Sequence, residues 1–195
     1  MSNELVYGNH FFLRVRPLRR LRGKPLPPQF SMVWVPGVDL IPLSFALFED
    51  GVAGFLYKVV GNGTAALSLK KPGEFLAITE PLGKSFLPSG DVVFLVGGTG
   101  IAPVLHYLRY VRRFRGLWGV KHGGLAEALV RLFPEVKSMI IASEDCTYGL
   151  CGMLTDHLDR LSIAPGEEVL VAGPTEMVRR VCRWPVSYTH LTLPT

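Results

Sequence analysis

The sequence predicts two domains in series: an antiparallel β-barrel over residues 1–88, then an α/β open parallel sheet over residues 89–184. Three observations carry this. Short apolar segments punctuated by Gly, Pro and Asn fill the first half. A continuous apolar run, residues 92–96, opens the second half and suits a strand buried on both faces of a parallel sheet. Helical and extended patterns alternate after it. A chain of 195 residues is long enough for two small cores.

The barrel strands are expected at 11–16, 29–35, 43–48, 54–60 and 75–79. Their stops are Pro36-Gly37, Glu49-Asp50-Gly51, Gly61-Asn62-Gly63 and Pro72-Gly73. No long helical pattern interrupts them. The composition shifts near Pro88-Ser89-Gly90. Beyond it, a strand at 92–96 leads to a helix at 102–113, where Leu105, Leu108 and Val111 recur at helical spacing. A strand near 117–120, a helix at 125–133, a strand at 137–142 and a helix at 154–161 follow. A strand at 169–172 and a helix over 176–182 complete the domain. Residues 185–195 continue no upstream pattern and read as a non-native tail, with a short native extension as the alternative.

Hydrophobic residues make up 48% of the chain and mean hydropathy is +0.29, so surplus apolar surface is expected to meet a partner. No apolar run reaches the ~20 residues of a membrane span. The start of the chain lacks the apolar stretch of a signal peptide, which points to the cytoplasm. The net charge is +5, gathered at 14–24 and 109–115. No aromatic stacking platform is interleaved with the second, which reads as the solvated face of a helix, and neither is taken as a nucleic-acid footprint. Cys146, Cys151 and Cys182 are too few for a disulfide scaffold or a four-ligand metal site, so they read as loop or core thiols. His10, His106, His122 and His157 form no catalytic dyad by spacing.

The sharpest motif is Gly97-Gly98-Thr99-Gly100-Ile101-Ala102-Pro103, between a buried strand and a helix. Glycines there let the backbone approach a pyrophosphate, and the helix start offers N–H groups to it. Pro103 falls in the first turn, where no hydrogen bond is lost. A second motif, Gly173-Pro174, follows the strand at 169–172 at the ligand edge of an open sheet. Ser143-Glu144-Asp145 lies on the same edge, able to bind ribose hydroxyls or to cap the next segment.

A Gly-Gly-Thr-Gly-Ile-Ala-Pro loop and a Gly-Pro turn after an all-β half resemble the ferredoxin–NADP reductase family. Within it, the similarity is to electron-transfer subunits of type B dihydroorotate dehydrogenases, over residues 11–182. Pro28-Gln29-Phe30, Pro42-Leu43-Ser44, Leu56-Tyr57-Lys58, Gly63-Thr64 and Pro81-Leu82-Gly83-Lys84-Ser85-Phe86 support it. The resemblance implies FAD held by Pro42, Leu43, Ser44, Leu56, Tyr57, Lys58, Gly63 and Thr64. It also implies NAD(P) held by Gly97, Gly98, Thr99, Gly100, Ile101, Pro103, Ser143, Glu144, Asp145, Gly173 and Pro174. Hydride would pass between nicotinamide and flavin, and single electrons to a catalytic redox subunit, dihydroorotate dehydrogenase.

The sequence departs from that pattern in three places. The flavin signature reads Ile41-Pro42-Leu43-Ser44, with isoleucine where the family's arginine faces the FAD pyrophosphate; its loss either weakens the flavin reading or passes the charge role to Lys58. Ala172 stands where many relatives have cysteine. Full-length relatives bind a 2Fe-2S cluster through a C-terminal cysteine segment that this sequence does not contain, and Cys182 lies upstream of it. Two alternatives stay open: a diaphorase-type subunit of a hydrogenase, sulfide dehydrogenase or transhydrogenase, and a flavin-free nucleotide-binding interaction module.

Overall fold

The computed structural model describes residues 1–164, 166–184 and 191–192. The expectation of a non-native tail falls on residues of which all but 191–192 lie outside that description. Two compact units emerge: Met1–Phe86 with Ala102–Tyr107, and Leu87–Ile101 with the chain from Leu108 onward.

The first unit is built on β1 (Ser2–Tyr7), β2 (His10–Val15), β3 (Phe30–Val35), β4 (Asp39–Glu49), β5 (Val52–Lys58) and β6 (Ala77–Ile78). They form one antiparallel sheet in the order β1-β2-β5-β4-β3-β6. β4 is the long member, and a bulge between Phe45 and Leu47 bends it so that it pairs with β5 at one end and β3 at the other. The turn to β5 is a two-residue hairpin. Glu49 pairs with Val52, and Asp50 and Gly51 both have positive φ, 50° and 72°, which suits the right-handed twist of the strands.

The sheet curls around an apolar cluster. Leu13 and Val15 from β2, Val33 and Val35 from β3, Ile41, Leu43 and Phe45 from β4, and Ala53, Phe55 and Tyr57 from β5 all enter it. Leu67 of the short helix α1 (Asn62–Ser68) also joins it and is fully buried. This helix was not expected. Ala65, Ala66 and Leu67 favour it, and the Thr64 hydroxyl accepts the N–H groups of Val60 and Gly61 to close its first turn. β1 was not expected either, because polar cross-links rather than alternation hold it. Asn3 donates to the Leu67 carbonyl at 2.7 Å and accepts from the Tyr57 hydroxyl at 2.9 Å. Burial raises the Tyr57 hydroxyl to about 12, against the lowering effect of Asn3.

The second unit contains β7 (Val92–Gly97), β8 (Phe114–Val120), β9 (Ile140–Ser143), β10 (Leu150–Cys151), β11 (Glu168–Ala172) and β12 (Leu191–Thr192). All pairs are parallel, in the order β10-β9-β8-β7-β11-β12. Every residue of β7 is buried, as its unbroken apolar run requires. One face of the sheet packs Val93, Leu95, Leu117, Val169 and Val171 against Leu154 and Leu158 of a 3₁₀ segment and Val181 of α4 (Thr175–Arg183). The helix α3 (Gly123–Leu132) buries Leu125, Ala126, Leu129 and Val130.

The helix after β7 is shorter than expected. α2 spans Ile101–Tyr107, not 102–113. Arg109, Arg112 and Arg113 would stand three and four residues apart on a longer helix, where like charges repel. Among the described residues, no helix is long and apolar enough to cross a membrane.

Candidate functional site

The sequence of strands in the second sheet sets where a ligand can sit. The chain runs outward from β7 through β8 and β9, then returns to the other side of β7 as β11. Loops leaving β7 and β11 therefore part company at their C-terminal ends, and such reversals create the crevice of open α/β sheets. The two glycine motifs lie on these two loops.

The structure brings those motifs into contact. Residues Gly98–Gly100 form one 3₁₀ turn that runs directly into α2. Gly98 has φ +52°, a conformation glycine adopts without penalty. Its carbonyl accepts the Trp118 indole N–H at 3.1 Å, which pins the loop to β8. A side chain at Gly100 would come within 2.5 Å of the Ala172 carbonyl oxygen. One at Gly97 would strike Met177 Sδ at 2.5 Å and Pro174 Cδ at 2.9 Å. One at Gly173 would lie 2.9 Å from the Gly97 nitrogen. Three glycines are thus required by close packing of backbone on backbone or on the first turn of α4. Trp118 is the anchoring residue that sequence reasoning missed. It read as one apolar residue of a short strand, and its indole partner depends on the fold.

Ser143, Glu144 and Asp145 follow β9 on the same edge. The Ser143 hydroxyl is buried, donates to the Tyr148 carbonyl at 2.7 Å and accepts its N–H at 3.1 Å, so it closes its own loop. The Asp145 carboxylate accepts the Gly123 N–H at 3.0 Å, the Thr147 N–H and the Thr147 hydroxyl, and lies 3.3 Å from His122 Nδ1. Partial desolvation would raise its pKa, but the bonds from Gly123, Thr147 and His122 outweigh it and hold the group at about 2. Asp145 thus caps the start of α3. Glu144 is exposed. The cysteine reading is corrected here: Cys146 and Cys151 are joined in a disulfide across this loop. The parallel pairing of β10 with β9 turns the chain back and sets Cys151 level with Ser143, a closeness that spacing alone does not reveal.

In the barrel unit the expected flavin residues divide by strand alternation. Leu43 and Tyr57 point into the core cluster, and Leu56 is buried as well. Pro42 and Lys58 are exposed and Ser44 is half-buried. Ile41, at the family's arginine position, is a core residue. Gly63 and Thr64 lie in the first turn of α1 and are buried. A side chain at Gly63 would fall 2.6 Å from Asp39 Cβ, so a carboxylate side chain already packs against this helix start.

No protein-family model matches the chain. It is 31% identical over 160 residues to the dihydroorotate dehydrogenase B (NAD+) electron-transfer subunit of Caldanaerobacter subterraneus, covering 80% of this chain and 64% of that one. It is 33% identical over 175 residues to a Methanopyrus kandleri protein named "Probable dihydroorotate dehydrogenase B (NAD(+)), electron transfer subunit", covering 87% and 66%. The chain thus spans slightly under two thirds of these curated relatives. Among solved structures, it superposes on a chain of the NADH-dependent reduced ferredoxin–NADP oxidoreductase with a TM-score of 0.79 at 21% identity, over 98% of this chain and 72% of that one. Phthalate dioxygenase reductase gives 0.72 at 18% identity, over 98% and 65%. These likenesses show the fold, an antiparallel barrel domain followed by a parallel α/β domain.

Proposed function

We propose that this chain, homologous to dihydroorotate dehydrogenase B electron-transfer subunits and folded as a ferredoxin reductase-like protein, is an FAD-dependent electron-transfer subunit. It would move electrons between a nicotinamide nucleotide and a catalytic redox partner, dihydroorotate dehydrogenase in pyrimidine biosynthesis, in the cytoplasm. The observation that carries this reading is the contact of the two glycine loops at the point where strand order reverses, beside β7 and β11. When bound, nicotinamide and flavin supply the hydride and single-electron chemistry.

The chain's own residues bind and orient. Gly97, Gly100 and Gly173 keep the two loops close enough for the amides of Gly98–Gly100 to meet a pyrophosphate. Pro103 lies within the first turn without loss, and Pro174 walls the crevice beside Gly97. Glu144 is the free acid of the edge and the candidate for ribose hydroxyls, while Asp145 keeps α3 in place. In the barrel, Pro42 and Ser44 would face the flavin, and Lys58 would supply the cation for its pyrophosphate beside the amides of residues 62–64. None of the three cysteines is assigned to a 2Fe-2S centre.

A second reading, a nucleotide-binding module without flavin, is favoured by two observations in the barrel. Ile41 fills a core position where the family places arginine, and Asp39 brings an anionic side chain to the α1 start where phosphate would bind. The visible spectrum of the FAD-incubated chain, before and after anaerobic NADH, separates the two. A flavin band that bleaches is expected of the electron-transfer subunit. A colourless protein that still binds NADH would establish the flavin-free module.

A further inference from the structure

We propose that Cys146 and Cys151 form a thiol–disulfide switch that controls the order of the edge loop after β9. Four observations lead to it. The two residues are bonded to each other, and both are exposed, so a soluble thiol can reach them. The bond closes the loop that leaves β9 and returns as β10, with Cys151 level with Ser143. Cys146 holds φ +57°, one of two non-glycine residues at positive φ among the described residues, a backbone state that a free chain seldom keeps. The same loop carries Asp145, whose carboxylate reaches across to the Gly123 N–H at the start of α3.

The physical sequence is direct. The disulfide holds the turn, the turn holds Asp145, and Asp145 holds the first amide of α3. Gly123 itself can take no side chain, since a Cβ would lie 2.5 Å from Thr147 Oγ1 and 2.6 Å from the Tyr148 backbone nitrogen. The loops after β8 and β9 therefore pack together, and loosening one frees the other. In the switching step, the thiolate of a small dithiol attacks one sulfur and the Cys146–Cys151 bond breaks. A mixed disulfide forms, and the second thiol of the reductant displaces the remaining cysteine sulfur. Two electrons and two protons end on the two cysteines, and the dithiol leaves as its cyclic disulfide. Oxidised dithiol reverses the step. The consequence for nucleotide affinity rests on the reading of this edge as the nicotinamide site; the switch itself does not.

The test is a dithiothreitol redox titration of the whole chain with maleimide trapping and mass counting, joined to amide hydrogen exchange and NADH titration in each state. Cys182 is exposed and should label throughout. Cys146 and Cys151 should become labelled together in one two-electron step. Exchange at residues 143–152 and at Gly123 should rise at least tenfold on reduction, and NADH affinity should change severalfold. The Cys146→Ser/Cys151→Ser double variant should behave as the reduced state under all conditions. If both cysteines label independently of the dithiol ratio, or if reduction leaves Gly123 exchange unchanged, the switch is overturned. If the two-electron step and the exchange change occur but NADH binds in neither state, the switch stands and the nicotinamide reading fails.

Discussion

The two units of this molecule build their candidate sites in opposite ways. In the parallel sheet, the residues that would meet a nucleotide are glycines whose missing side chains are demanded by neighbouring backbone, as Gly100 is by the Ala172 carbonyl. In the barrel, six of the eight corresponding residues are ordinary strand positions, and only Gly63 and Thr64 lie on a helix. Alternation sends Leu43 and Tyr57 into the core and leaves Pro42 and Lys58 outside. A site made of backbone tolerates no change of residue type, whereas a site made of alternate side chains can lose one member and keep its fold. Ile41, where the resembled family has arginine, is a buried core residue here.

The largest test of this contrast is a pair of glycine substitutions. Gly100→Ala places a methyl group against a carbonyl that cannot move away, and should destabilise the chain by about 3 kcal/mol in urea unfolding. Gly61→Ala, at the start of α1, meets nothing within 4 Å on an exposed, extended backbone, so its effect should stay below about 1 kcal/mol. Equal costs would erase the distinction.

Stability against pH should report on the barrel unit, because both strongly shifted buried groups lie there. Burial, and secondarily the positive charge of Lys24, depress the His106 imidazole to about 4. Its folded value lies below the ordinary 6.5, so its contribution is complete above about pH 6.5 and is lost as pH falls toward 4, on the order of 3 kcal/mol. Tyr57 is shifted upward, so its contribution is complete below about pH 10 and is lost as pH rises toward 12, by about 2 kcal/mol. Unfolding free energies measured from pH 3 to 12 should therefore fall at both ends, and His106→Asn should flatten the acid limb.

Two smaller effects sharpen the comparison. Asp145→Ala removes the cap on Gly123, and hydrogen exchange at that amide should quicken while the barrel amides stay as they were. Asp39→Asn removes an anion beside the α1 start, and FAD affinity should rise roughly three- to fivefold, with NADH affinity unchanged. An unchanged FAD affinity would remove Asp39 from the account of the barrel site.

The elements that the sequence revealed best were those set by local pattern. The run at 92–96 suited a doubly buried strand, and Glu49-Asp50-Gly51 marked a turn that the structure closes as a tight hairpin. Elements held by distant partners were illegible. β1 depends on Asn3 reaching Leu67 and Tyr57, and α1 on a hydroxyl cap and a leucine that plugs the barrel. The glycine loops were readable because their residue type encodes the constraint. Trp118 and the Cys146–Cys151 bond were not, since each needs a partner that only the parallel register brings near. Ser143 and Asp145 had the right address, but their hydrogen bonds to Tyr148 and Gly123 became visible only in three dimensions.

The central claim is that the crevice beside β7 and β11 takes the nicotinamide nucleotide while the start of α1 takes the flavin. Backbone amide shifts of the whole chain, followed by NMR during separate additions of NADH and FAD, test it most directly. NADH should move the amides of Gly98, Thr99, Gly100, Ile101 and Gly173 and leave those of residues 62–64 in place, and FAD should do the reverse. NADH shifts confined to other residues, or both ligands moving the same amides, would contradict the account.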